Sequence, residues 1–207
     1  MTGLFITFEG GDGSGKSTQV ALLTEWLHSE GREVEHSREP GGTELGGELR
    51  NIVLHRKGHI SPRAEALLYA ADRAHNIATK VRPALERGAI VIQDRYLDSS
   101  VAYQGAGRVL GASEVRDLSM WATEGLLPDL TVLLDLDAEV GRERLAGRDV
   151  YDRLESEKND FHERVRAGYL ALAEAEPERF LVIDATVPVE SISRGIRERV
   201  SQLLQLG

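Results

Sequence analysis

The chain contains no cysteine, which excludes disulfides and thiolate metal ligands alike. Nowhere in its 207 residues does an apolar run approach the ~18 residues of a membrane span. Residues 1–9 lack the basic region, long apolar core and small-residue cleavage site of a secretory signal. Together with the missing cysteines, this predicts a cytoplasmic protein. Positive charge is also in deficit: 25 Lys and Arg face 34 Asp and Glu, a net charge of -9. That balance argues against a protein that coats nucleic acid by neutralising its phosphates. It leaves room for a small phosphorylated substrate held by local arginines. The six histidines show no metal-site spacing such as H-E-x-x-H and read as surface or internally satisfied side chains.

What is present is an alternation of strand-like and helix-like segments. Residues 3–9 form a short apolar run that ends at a glycine loop, and 16–30 follow as a helix with Val20, Leu23 and Leu27 on one face. A weaker strand at 33–37 precedes helical patterns at 45–54 and 63–86, the latter announced by Ser61-Pro62. Residues 89–94 (AIVIQD), 130–137 (LTVLLDLD) and 180–184 are further strands, and 189–204 a closing helix. Such alternation implies crossover connections and a mostly parallel sheet with helices on both faces. The expectation is one α/β domain, residues 1–207, with a five-stranded parallel sheet in a three-layer α/β/α fold. Ligands bind beyond the C-terminal strand ends of such sheets; periodicity does not give the strand order.

The strongest motif is Gly10-Gly11-Asp12-Gly13-Ser14-Gly15-Lys16-Ser17, followed by Thr18. It fits G-x-x-x-x-G-K-[ST] and lies between a predicted strand and a predicted helix, the context a phosphate-binding loop requires. Glycines let backbone N–H groups turn inward around phosphate oxygens, and the helix N-terminus adds favourable partial charge. Lys16 is placed to reach β/γ-phosphates and Ser17 to ligate Mg²⁺. No N-K-x-D motif for reading guanine is present, which points to a small kinase rather than a GTPase. The loop contains no arginine, whereas Arg142, Arg144, Arg148 and Arg153 crowd the stretch after the fourth strand. A mobile lid at about 141–155 that supplies arginine in cis answers that need; a solvated charged helix is the plainer alternative.

The chain resembles the bacterial thymidylate kinase family along nearly its whole length. The matching pieces, in order, are FEGGDGSGKST (8–18), REPGGT (38–43), EALLYAADR (65–73), DRYLDSSVAYQG (94–105), LPDLTVLLDLD (127–137), DRLESE (152–157) and FHERVRAGY (161–169). The order and spacing carry the resemblance, and DRYxxSSxAYQ after an apolar strand is its most distinctive part.

The resemblance implies phosphoryl transfer from ATP to dTMP with Mg²⁺, in a homodimer that needs neither nucleic acid nor membrane. It implies that Arg95 grips the acceptor phosphate, a role suited to a planar, always-charged fork; a structural ion pair with Asp94 is the alternative. Asp94 stands where a Walker-B-type acid would meet the metal, and Asp12 is the family's acid beside phosphates and metal. Tyr69 is expected to stack on thymine, where many relatives carry Phe, and Arg73, one turn on, to contact base or acceptor phosphate. Without the resemblance Tyr69 reads as core. Ser100 is expected at a thymine edge, Gln104 beside the nucleotide, and Tyr103 against the sugar 2′ position. Glu39 and Arg50 match lining positions and Pro40 the 5-methyl pocket; capping or turn formation is the alternative for Ser100, Glu39 and Pro40. Arg153 is the lid arginine expected over the transferred phosphoryl, with Arg142 and Arg148 supporting through adenine stacking or phosphate contact, and Arg144 on a solvated face. Phe161, Val165, Tyr169 and Leu172 form an amphipathic stripe that reads as core. Two rival functions stay open: a deoxyribonucleoside kinase with Glu39 as base for a sugar 5′-OH, and a non-catalytic nucleotide switch.

Overall fold

The computed structural model describes residues 3–146 and 152–206. Arg148, with its neighbours Gly147 and Asp149, lies outside the described residues. Five parallel strands form one sheet in the order β2-β3-β1-β4-β5. The inner strands β1 (Leu4–Glu9), β3 (Ile90–Asp94) and β4 (Leu130–Asp135) are almost wholly buried, as continuous apolar runs require where helices cover both faces. The outer strands β2 (Val34–Arg38) and β5 (Phe180–Asp184) are partly exposed, which explains the weaker pattern at 33–37. Along β1 the side chains alternate in the strand's period of two. Ile6 and Phe8 pack with Leu23 and Leu27 of α1 (Lys16–Ser29) and Ile192 and Ile196 of α9 (Val189–Leu206). Phe5 points the other way, toward Ile77, Leu85 and Tyr96.

The predicted helix at 63–86 is not uniform. It runs as α3 (Pro62–Asn76), a π-helical stretch Ile77–Val81, and α4 (Arg82–Glu86). Pro83 supplies the physical reason, because proline has no N–H to donate and its ring crowds the carbonyl four residues back. Similar wide turns extend α2 (Glu44–Arg50) through Asn51–His55 and α5 (Leu97–Ser100) through Val101–Gly107. The remaining helices are α6 (Ala112–Ala122), α7 (Ala138–Leu145) and α8 (Asn159–Ala175). Because β1 is central, the loop that leaves it opens at the middle of the sheet's C-terminal edge, between the ends of β3 and β4.

Candidate active site

The glycine motif makes the turn its sequence demands. Gly10, Gly13 and Gly15 have φ of 131°, 78° and 92°, a region that side-chain-bearing residues rarely enter, and α1 begins directly at Lys16. The Lys16 ammonium curls over the loop and donates to the carbonyls of Gly10 and Gly11, both at 2.9 Å. Burial, reinforced by Arg95, lowers its pKa to about 8. Ser17 and Thr18 are exposed at the mouth, beside a cavity of about 550 Å³. That cavity brings together Asp12, Lys16, Ser17, Thr18, Glu39, Pro40, Arg50, Tyr69, Arg73, Asp94, Arg95, Ser100, Tyr103 and Gln104.

Arg95 connects the loop to the rest of the cavity. Its φ is 65°, uncommon for a residue with a side chain, and its N–H bonds to the Phe8 carbonyl at 3.0 Å. The turn carries the guanidinium to Asp12, 2.6 Å away, while its other arm donates to Ser99 Oγ (3.4 Å) and the Tyr169 hydroxyl (3.3 Å). It also lies over the Tyr103 ring, 5.1 Å from the centroid. Burial works against the charge on Asp12, yet Arg95 and Lys16 hold its pKa below the usual value. Among the described residues Arg95 thus pairs with Asp12, not with Asp94. Among the described residues Asp94 keeps a buried Oδ1 without a hydrogen-bond partner, in a cavity it lines together with Ser17. An unpartnered carboxylate oxygen beside a hydroxyl suits Mg²⁺, which takes one or two protein ligands and completes its shell with phosphates and water.

The far end of the cavity is built on α3. Tyr69 and Arg73 project from one face, but Arg73 is 1% exposed and heavily engaged. It donates to Glu39 (2.8 Å), Ser119 Oγ (3.0 Å), the Tyr96 carbonyl (3.0 Å) and Ser100 Oγ (3.0 Å). Four of the five guanidinium N–H groups are therefore taken, which fits one bond to a base edge better than a grip on a phosphate. Glu39 is equally committed, since Asn76 (3.2 Å) and Gln93 (2.8 Å) both donate to its second oxygen. Its burial, against the pull of Arg73, raises the pKa to about 7. Arg50 donates to the Pro40 carbonyl at 2.9 Å, so these two brace each other at the rim.

The described lid arginines, Arg142, Arg144 and Arg153, are each engaged by other groups of the protein. Asp152, Leu154 and Glu155 border the phosphate cavity, while the Arg153 guanidinium donates to the Val53 carbonyl (2.8 Å) and to Glu65. Glu65, fully buried on α3, also accepts from Gln104 (2.9 Å) and Arg108 (3.2 Å). A buried carboxylate draws in cations because its charge has no water to rely on, and Arg153 answers that demand. Arg142 turns to Asn159 at 2.6 Å and lines a small cavity behind the loop. Arg144 is exposed, as a solvated face implies, yet it bonds the Ala185 carbonyl (2.9 Å), reaches the Gly13 carbonyl (3.4 Å) and borders the main cavity. Charge counting along the chain cannot separate these three. Glu9, Glu65, Ser99 and Tyr169 also escaped the sequence reading. Only the position of Glu9 directly before the glycine motif, and a hydroxyl within an otherwise apolar stripe, hinted at them.

A glycine loop between β1 and α1, a lysine over it, and a second, arginine-flanked pocket in the same cavity define an ATP-dependent nucleoside monophosphate kinase of the P-loop type. A sequence model described as thymidylate kinase matches residues 8–196. The chain is 69% identical to a thymidylate kinase of Clavibacter michiganensis subsp. michiganensis, covering 100% of this chain and 99% of that protein. It is 71% identical to one of Leifsonia xyli subsp. xyli over 96% of this chain and 94% of the relative. A Bifidobacterium longum thymidylate kinase is 52% identical over 98% and 100% of the two chains. The chain belongs to the thymidylate kinase family.

Proposed function

We propose that the chain transfers the γ-phosphoryl group of ATP to the 5′-phosphate of dTMP, releasing ADP and dTDP. The observation that carries this reading is Arg95. It is turned by its left-handed backbone into the cavity that also holds Lys16 and the Tyr69–Arg73 face. In this reading Tyr69 stacks on thymine, and Arg73 spends its remaining donor on the base edge. Arg95 holds the acceptor phosphate, which attacks as an oxyanion and needs no general base. The new P–O bond forms as the bond to the β-phosphate oxygen breaks. Lys16 follows the transferred group, and Asp12 keeps Arg95 aligned with it, so that catalysis is positioning and charge neutralisation. Ser17 and Asp94 would hold Mg²⁺, which would supply further neutralisation of phosphate charge.

Arg144, next to the loop and to Ala185, is the best placed of the described lid arginines to flank the donor nucleotide. Arg153 serves as the anchor of the lid root on Glu65. The whole chain acts as one kinase unit in the cytoplasm. Homodimerisation is supported by exposed apolar side chains on two helices that pack together, Leu67 of α3 (57% exposed) and Trp121 of α6 (80%).

The deoxyribonucleoside kinase reading needs a free carboxylate, and both oxygens of Glu39 are occupied. A coupled assay with dTMP, dUMP, thymidine and the ribose analogue of dTMP tests the choice. Turnover of dTMP and none of thymidine is expected, with dUMP poorer by about 10–200-fold in kcat/KM because only a methyl group is lost. The ribose analogue is expected to fare worse, since its 2′-OH meets the buried Tyr103 ring, and Tyr103→Ala relaxes sugar choice more than base choice. Phosphorylation of thymidine, or ATP binding without turnover of any monophosphate, overturns the proposal.

A further inference from the structure

We propose that Glu9 is a positioning residue for the acceptor phosphate, acting by fixing the loop and the hydroxyls that aim Arg95. The inference rests on the reading of Arg95 given above. Glu9 is the last residue of β1 and is fully buried. One carboxylate oxygen accepts the backbone N–H groups of Tyr96 (2.7 Å) and Ser99 (3.3 Å), and so pins both ends of the turn that follows Arg95. The other accepts the hydroxyls of Ser99 (2.5 Å) and Tyr169 (2.8 Å).

Each of those hydroxyls spends its proton on Glu9 or on the other hydroxyl, 2.8 Å away, leaving oxygen lone pairs for Arg95 Nη1. The guanidinium is thereby held on two sides, by Asp12 directly and by Glu9 through Ser99 and Tyr169. Both acids flank Gly10-Gly11, so the acceptor arginine is registered to the donor loop itself. The charged groups around Glu9 are Asp98, Arg95 and Lys16. Burial and then Asp98 raise its pKa to about 7, against the hydrogen bonds of Ser99 and Tyr169 and the charge of Arg95. A glutamine of the same shape keeps one acceptor oxygen for the backbone N–H groups but turns an NH₂ on the two hydroxyls, which must then accept from it and redirect the protons and lone pairs that aim Arg95.

The test compares Glu9→Gln, Glu9→Asp, Tyr169→Phe and Arg95→Ala for kcat, KM of each substrate, affinity for a non-hydrolysable ATP analogue, and thermal melting. Glu9→Gln is expected to lower kcat/KM for dTMP by about 10–100-fold, the scale of a small misplacement of a reacting group, with analogue affinity unchanged. Glu9→Asp, which keeps the acceptors, restores part of the loss. Tyr169→Phe, which removes one hydroxyl and little else, shows the same pattern more weakly and stands in if Glu9→Gln does not fold. Loss only in proportion to the folded fraction, or equal weakening toward both nucleotides, overturns the inference. If Arg95→Ala is crippled for dTMP while Glu9→Gln and Tyr169→Phe behave as wild type, this inference alone falls. If Arg95→Ala leaves dTMP kinetics intact, the reading beneath it falls.

Discussion

Single residues in this site are read best through what already holds them. Lys16 has two carbonyl partners but little water, so its ammonium is charged below pH 8 and loses its proton above it. Polyphosphate binding favours the charged form, which predicts that ATP binding takes up a proton only on the alkaline side. Calorimetry in buffers of different ionisation enthalpy should find uptake of about zero at pH ~6.5, rising toward about one at pH ~9. The lid arginines give a second prediction. A finger that meets only the transition state contributes about 10³–10⁵ in kcat. Arg153, engaged by Glu65 and Val53, is expected to fall far short of that when changed to Ala, whereas Arg144→Ala should chiefly raise the KM for ATP. A thousandfold drop in kcat for Arg153→Ala would restore it as the finger. Residues whose chemistry is forced by local spacing, such as Lys16 and Ser17, were legible in the sequence. Glu9 and Tyr169 were not, since a stripe at helical period reports which side of α8 is buried but not where a terminal hydroxyl points.

At the level of elements, the glycine loop and α7 meet without side chains between them. A Cβ on Gly13 would stand 2.6 Å from the Gly141 carbonyl oxygen, and one on Gly141 2.6 Å from that of Asp12. Gly141→Ala therefore sets two effects against each other: about 0.5–1 kcal/mol of helix preference gained and about 1–3 kcal/mol of overpacking. The overpacking should prevail, lowering the melting temperature and, by shifting Asp12, the activity. Gly195 in α9 is the control, with only Ile183 Cδ1 nearby at 3.8 Å. Its change to Ala should stabilise by about 0.5–1 kcal/mol and leave kinetics alone. An active, stabilised Gly141→Ala would mean that the two elements move apart freely. The five strands and the helices near 16–30, 45–54, 63–86, 161–172 and 189–204 were readable because apolar runs and periodic faces act locally; α6 (Ala112–Ala122) was not. The wide turns at Asn51–His55 and Val101–Gly107 were not, because no local residue signals them, and at Ile77–Val81 Pro83 marks a break without telling its form.

For the molecule as a whole, Trp121→Lys offers the direct check on assembly. Sedimentation should show a dimer for the wild type and a shift toward monomer for the variant; a wild-type monomer removes the dimer from the account. Strand order was the large feature that periodicity could not supply, because parallel neighbours are chosen by long crossovers and not by adjacent residues. That order has a temporal consequence during synthesis. β1 is made first yet lies in the middle, and its partners are β3 at Ile90–Asp94 and β4 at Leu130–Asp135. On the ribosome one edge of the strand that presents the phosphate loop stays unpaired until β3 has emerged and the other until β4 has. Pairings of such long range close slowly and leave strand edges exposed in the meantime. The nascent chain therefore gains its nucleotide site late, and a ligand of the finished loop cannot hasten the steps that precede it.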